Sequence, residues 1–138
     1  MQALELFAGA GGLAMGVSLA GFKPVAVVEW DRWACDTVRE NQQRGYPLVK
    51  DWPLVEGDVR HFDLSGFPEG IDLVAGGPPC QPFSMGGKHR AYDDDRDMFP
   101  VTVDIVRRTR PKAFIVENVK GLTRAAFANY FAYIVLQL

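Results

Sequence analysis

ALELFAGAGGLA, residues 3–14, decides how the rest of the chain is read. Ala3-Leu4-Glu5-Leu6-Phe7 reads as a short strand, ended by Gly9. Gly12 to Ala20 reads as a helix, with Gly21 as its stop. The glycines between them let the backbone turn sharply and let a ligand approach it closely. The stretch satisfies G-x-G-x-x-A through Gly9, Gly11 and Ala14. On its own that pattern is equally a tight strand-to-helix turn, with small residues for helix packing.

Outward from it, the alternation continues. Val25 to Trp30 is an apolar run closed by an acid, as in a buried parallel strand. Asp31 is placed to cap a second helix, through about Gln43. Leu54-Val55-Glu56 is a weak third strand, and Ile71 to Ala75 a fourth. The link from Val59 to Gly70 is too short for a full crossover helix, which predicts a short or irregular one. A long loop is expected from Gly76 to about Arg96, then a helix from Asp97 to about Thr109, stopped by Pro111. Ala113 to Glu117 is a fifth strand, and Ala125 to Leu138 an apolar, aromatic helix. Strands alternating with helices predict an α/β fold: a doubly wound, mostly parallel sheet with helices on both faces.

The 138 residues suit one domain, and 48% of them are hydrophobic, enough for a sizeable core. A formal net charge of -2 carries no global basic signature of nucleic-acid binding. Lys88-His89-Arg90 is a short basic run, followed by Asp93, Asp94 and Asp95, and reads as a solvated loop. Cys35 and Cys80 are too few and too unlike in context for a disulfide framework. The N-terminus has neither the basic nor the apolar region of a signal peptide. No apolar run approaches the roughly 20 residues of a membrane span.

Two candidate sites lie at the carboxyl ends of the predicted strands. Glu29 ends the second strand about 20 residues after the glycine turn, where an acid can hold ribose hydroxyls. Trp30 offers an aromatic face for adenine, against the plainer role of a core tryptophan. Asp58 ends the third strand and can accept from an adenine amino group, or simply turn the chain after Gly57. Together they describe an adenosine pocket.

The second site is GGPPCQPFS, residues 76–84. A lone cysteine is usually a small buried hydrophobe, as Cys35 reads within its helix. Cys80 differs. It follows the fourth strand, where ligands bind in open α/β sheets, and Pro78, Pro79 and Pro82 stiffen the backbone around it. That frame suits a nucleophile. Glu117 closes the fifth strand, which is expected beside the fourth at about 4.8 Å. Burial among Phe114, Val116 and Val119 is expected to raise its pKa. The plainer reading of Glu117 is a strand-end acid paired with an arginine, and Asn118 reads as a turn former.

These stretches resemble the motifs of DNA (cytosine-5)-methyltransferases. Phe7-Ala8-Gly9-Ala10-Gly11-Gly12 is similar to the first motif, and Glu29-Trp30-Asp31 and Gly57-Asp58-Val59 to the second and third. Gly77 to Ser84 looks like the catalytic motif, and Glu117-Asn118-Val119 like the next, with Lys120-Gly121-Leu122 after it. The order and spacing match over essentially the whole chain. The catalytic motif is very specific and the glycine turn is not. The resemblance implies the Rossmann-like methyltransferase fold, truncated after the fifth strand and following helix, with S-adenosylmethionine as cofactor and no metal. Phe7, Gly9, Gly11, Gly12 and Val59 would line the cofactor cleft, Glu29 would hold the ribose, and Trp30 and Asp58 the adenine. Pro78 would close over the cofactor beside the target base. Cys80 would add to carbon 6 of a flipped cytosine while Glu117 engages N3.

The resemblance also implies what is missing: the later arginine-rich motif, the target-recognition region and a C-terminal segment that completes the pocket. Residues 1–138 are therefore expected to form one partial catalytic domain, weakly active or inactive alone. Its expected partners are double-stranded DNA and a second polypeptide carrying target recognition. The compact spacing and Met1 point to a bacterial or phage enzyme acting in the cytoplasm on nucleoid DNA. Three rivals remain: a tRNA cytosine-5 methyltransferase, a nicotinamide-binding oxidoreductase domain, and a non-catalytic binding or regulatory subunit. The second explains Gly9 to Ala14 and Glu29, but not Pro78-Pro79-Cys80 or Glu117.

Overall fold

The computed structural model describes residues 1–67, 69–79 and 97–138. Five strands form one sheet: β1 (Gln2–Leu6), β2 (Lys23–Glu29), β3 (Leu54–Glu56), β4 (Leu73–Gly76) and β5 (Ala113–Val116). Their order is β3-β2-β1-β4-β5, and every pairing is parallel. The helices are α1 (Gly12–Leu19), α2 (Arg32–Gln43), α3 (Phe99–Thr109) and α4 (Ala128–Gln137). Among the described residues, no helix is long and apolar enough to cross a membrane.

The predicted elements are present, with boundary shifts that have local causes. Helix α1 stops where Gly21 takes φ +89°, with Gly21 N–H bonded to Ser18 and Phe22 N–H to Val17. Asp31 caps α2 by accepting from the Ala34 N–H at 2.8 Å. Strand β2 begins two residues earlier than expected and includes Pro24. The short β3 reaches only Val27–Glu29, so no ladder bond is lost on that side of Pro24. The β3–β4 link contains a 3-10 turn, Val59–His61, as its length required. Strand β4 runs later than expected and takes in Gly76, which the sequence reading gave to the loop. A Cβ there would stand 2.7 Å from the Leu6 carbonyl oxygen, so only glycine lets β4 lie this close to β1. Asp97 lies just before α3 and accepts from the Phe99 N–H at 3.0 Å. The tail forms two 3-10 turns before α4.

The core divides by sheet face. Ala14, Val27, Val38, Val49 and Trp52 pack under α1 and α2. Leu4, Leu6, Val28, Val74, Ile105 and Val106 pack under α3. Phe99, Val103, Tyr130 and Ile134 join α3 to α4. The chain runs from β1 to β2 on one side and crosses to β4 on the other. That reversal places the glycine turn and the Gly77-Pro78-Pro79 segment together at a topological switch point.

Candidate active site

The site begins with a strained residue. Phe7 follows β1 at φ +52°, a conformation that costs a non-glycine residue on the order of 1–3 kcal/mol. Its side chain lines a cleft of about 530 Å³ with Glu29, Trp30, Asp58, Val59 and Pro79. That volume is in the range of small-molecule sites. Val28, Gly57, Arg60 and Met98 complete the wall. Arg60, the residue that follows Gly57-Asp58-Val59, was missed in the sequence reading. Met98 had no sequence signal.

Glu29 is 7% exposed, and three backbone donors hold its carboxylate. Gly9 N–H donates to Oε2 at 2.7 Å, and Trp30 and Asp31 N–H to Oε1 at 2.8 Å each. A carboxylate has about four acceptor positions, so one is left for a ligand. The glycine turn thus acts on the cleft through Glu29. Gly9, Gly11 and Gly12, expected to line the cleft, are not among its wall residues. Gly11 instead faces Trp52, whose ring carbon Cζ3 would be 2.6 Å from a Cβ. Trp52 Nε1–H in turn donates to Ser18 Oγ at 3.2 Å.

Trp30 is 70% exposed, so it is not a core tryptophan; its ring is available at the mouth of the cleft. Asp58 accepts from Arg60: from Nε at 3.0 and 2.9 Å, from Nη2 at 2.5 Å and from the amide N–H at 2.9 Å. Hydrogen bonding to the Arg60 side chain, chiefly, lowers the Asp58 pKa to about 2. Cys35 is buried, its thiol 3.5 Å from the Glu29 carbonyl oxygen, in keeping with its reading as a small hydrophobe. Burial raises its pKa.

The second site is described only in part. Cys80 and the predicted loop to Arg96 lie outside the described residues. The residues leading into Cys80 divide differently from expectation. Pro79 lines the cleft, whereas Pro78, expected to close over the cofactor, is buried and is not part of its wall. The Pro78 carbonyl accepts from Asn118 Nδ2 at 3.0 Å. Asn118 therefore does more than turn the chain: it ties the proline segment to the end of β5. Glu117 lies beside Gly77, as the strand order required. Its N–H donates to the Gly76 carbonyl at 3.0 Å, and its Oε2 would be 2.9 Å from a Gly77 Cβ. The expected burial of Glu117 is absent. It is exposed, as are Phe114 and Val119, because β5 is the sheet edge. No group of three or more metal-ligating side chains occurs among the described residues.

Comparison with known proteins follows the same lines. The family model for C-5 cytosine-specific DNA methylase matches residues 1–138. The type II methyltransferase M.NgoMIV of Neisseria gonorrhoeae is 47% identical over 134 residues, covering 97% of this chain and 40% of that protein. M.PspPI of Psychrobacter is 42% identical over 120 residues, covering 86% of this chain and 27% of that protein. Among solved structures, one described as a DNA modification methyltransferase encoded within an E. coli prophage aligns with a TM-score of 0.73 and 28% identity. It covers all of this chain and 37% of its own. The chain thus spans less than half the length of these relatives. S-adenosylmethionine is the cofactor that goes with this family, and the fold, glycine turn and acidic strand ends agree with it. The chain belongs to the C-5 cytosine-specific DNA methylase family.

Proposed function

We propose that residues 1–138 are the cofactor-binding and nucleophile-bearing part of a DNA cytosine C5-methyltransferase. The observation that carries this reading is the cleft at the switch point. Two strand-end carboxylates, Glu29 and Asp58, share it with an exposed tryptophan and with Pro79, the residue before Cys80. Glu29 keeps one acceptor position, which suits a hydroxyl donor of an adenosine. Glu29 would hold the ribose; Asp58 and Trp30 would hold the adenine; Phe7 and Val59 would form the apolar walls. Bound there, S-adenosylmethionine would supply an electrophilic methyl group.

The chain's own residues would prepare the acceptor. Carbon 5 of cytosine is a poor nucleophile. Addition of the Cys80 thiolate to carbon 6 makes carbon 5 enamine-like, and Glu117 engages N3 as charge builds on the ring. Removal of the carbon 5 proton after methylation then expels Cys80. The base must leave the duplex to reach such a cleft.

A second polypeptide region carrying target recognition belongs to the same proposal. Strand β5 is a sheet edge with Phe114 and Ile115, which point to opposite faces, both more than 40% exposed. Leu136 on α4 is 82% exposed. An uncovered apolar edge of this kind marks a contact surface.

The test is covalent capture. The chain is joined after Leu138 to the C-terminal part of the gonococcal relative and mixed with S-adenosylmethionine and DNA carrying 5-fluorocytosine. Fluorine at carbon 5 prevents the final elimination, so the Cys80 bond to carbon 6 persists. The expected result is a denaturant-stable adduct with DNA that the Cys80→Ser variant does not form. An adduct with fluorinated tRNA and none with DNA would overturn the DNA assignment.

A further inference from the structure

Met98 is the one described residue of the cleft wall that belongs neither to a strand end nor to the turn after a strand. It stands at the start of α3. A methionine side chain turns about three bonds, so its place in a wall depends on how firmly its backbone is held. Here the backbone is held on both sides. Thr102 donates twice to the Met98 carbonyl oxygen, from N–H at 3.0 Å and from Oγ1 at 2.9 Å. The Asp97 carboxylate spans Met98 from the other side. Its Oδ1 accepts from the Phe99 N–H at 3.0 Å, and its Oδ2 accepts from the Tyr130 hydroxyl. Tyr130 lies on α4, 33 residues from Asp97, and is 3% exposed. Its ring meets the Phe99 ring edge-on, with centroids 6.2 Å apart. A phenol buried this deeply takes a partner for its O–H, and the partner here is the residue before Met98. No described wall residue of the cleft belongs to α4.

We propose that Tyr130 is a positioning residue of the cofactor cleft: its hydroxyl holds the Asp97 carboxylate and so sets Met98 against the bound cofactor. The bond is to an ionised acceptor, which makes it stronger than one between neutral groups. Without it, Asp97 keeps the Phe99 N–H but loses its anchor on α4, and Met98 gains freedom that binding must then remove. Helix α4 thus serves the cofactor site without touching it. This inference rests on the cofactor reading above.

The experiment is a double-variant cycle, read by calorimetric titration of the purified chain with S-adenosylhomocysteine. Tyr130→Phe keeps the ring against Phe99 and removes only the hydroxyl. It should weaken binding by about threefold to tenfold, the scale of one hydrogen bond. Met98→Ala removes the wall contact and should weaken binding at least as much. In the Met98→Ala background, Tyr130→Phe should change the affinity by less than about twofold, because the contact it serves is gone. Asp97→Ser keeps an oxygen for the Phe99 N–H but is a shorter acceptor for Tyr130, and should repeat the pattern from the other side. Far-ultraviolet circular dichroism confirms that each variant is folded. The same weakening by Tyr130→Phe in both backgrounds would overturn the proposal, because Tyr130 would then support the fold without acting through Met98. Full affinity in either single variant, Tyr130→Phe or Met98→Ala, would also overturn it and leave the cofactor reading intact. No binding by the parent would overturn the cofactor reading and this inference together.

Discussion

Glu5 is the residue whose chemistry the site leaves unused. It sits inside β1, 1% exposed, and its Oε1 has no hydrogen-bond partner among the described residues. Burial raises its pKa from the ordinary carboxyl range to about 7. The folded chain therefore holds a proton there that the unfolded chain releases near pH 4.5. The stabilisation from that proton is complete below pH 4.5 and is lost as pH rises through about 7. Over the whole window the loss is on the order of 3 kcal/mol. Glu5→Gln should remove this slope and make the chain more stable than the parent at pH 8, the advantage fading toward pH 5. Urea unfolding at several pH values measures it; parallel stability curves for the two chains would refute the account. Gly11 gives a prediction of the opposite sign. Gly11→Ala places a methyl group against the Trp52 ring at φ +92°, and should destabilise by about 2–3 kcal/mol. A melting temperature equal to the parent's would refute that.

At the scale of elements, the proline segment and the end of β5 act as one unit. Asn118 is their tether, so Asn118→Ala should cost about 1 kcal/mol of stability. It should lower the rate of covalent capture in the joined protein far more than it alters binding of S-adenosylhomocysteine. Equal losses in capture and binding would show that Asn118 supports the fold in general. Most elements were legible in the sequence because each had a local cause: Asp31 as a cap, Gly21 as a stop, the apolar runs of β1, β2 and β5. The boundaries of β4 were not, because they depend on a long-range contact. Gly76 joins the sheet through its fit against Leu6, which no local pattern encodes. Glu29 was legible by its spacing from the glycine turn, but its three backbone donors were not. The Asp58 partner was missed because Arg60 is two residues away, a spacing that matters only once the chain turns there. The burial expected of Glu117 failed for a reason of the same kind: apolar neighbours in sequence bury nothing on an edge strand with little packed outside it.

The whole molecule has an open apolar margin at β5 and α4, where Phe114, Ile115 and Leu136 are exposed. The aligned part of the chain covers 40% of the gonococcal relative. The chain alone should therefore transfer little or no methyl to DNA, and a radiolabelled-methyl assay with no added partner checks this; robust turnover would contradict it. The described walls of the cofactor cleft come from the ends of β1 and β2, the turn after β3, Pro79 and Met98. The central claim is that this cleft takes an adenosyl methyl donor. Calorimetric titration of the purified chain with S-adenosylmethionine, and separately with NADH, tests it most directly. The account predicts saturable binding of S-adenosylmethionine and none of NADH. Binding of NADH without S-adenosylmethionine would contradict it.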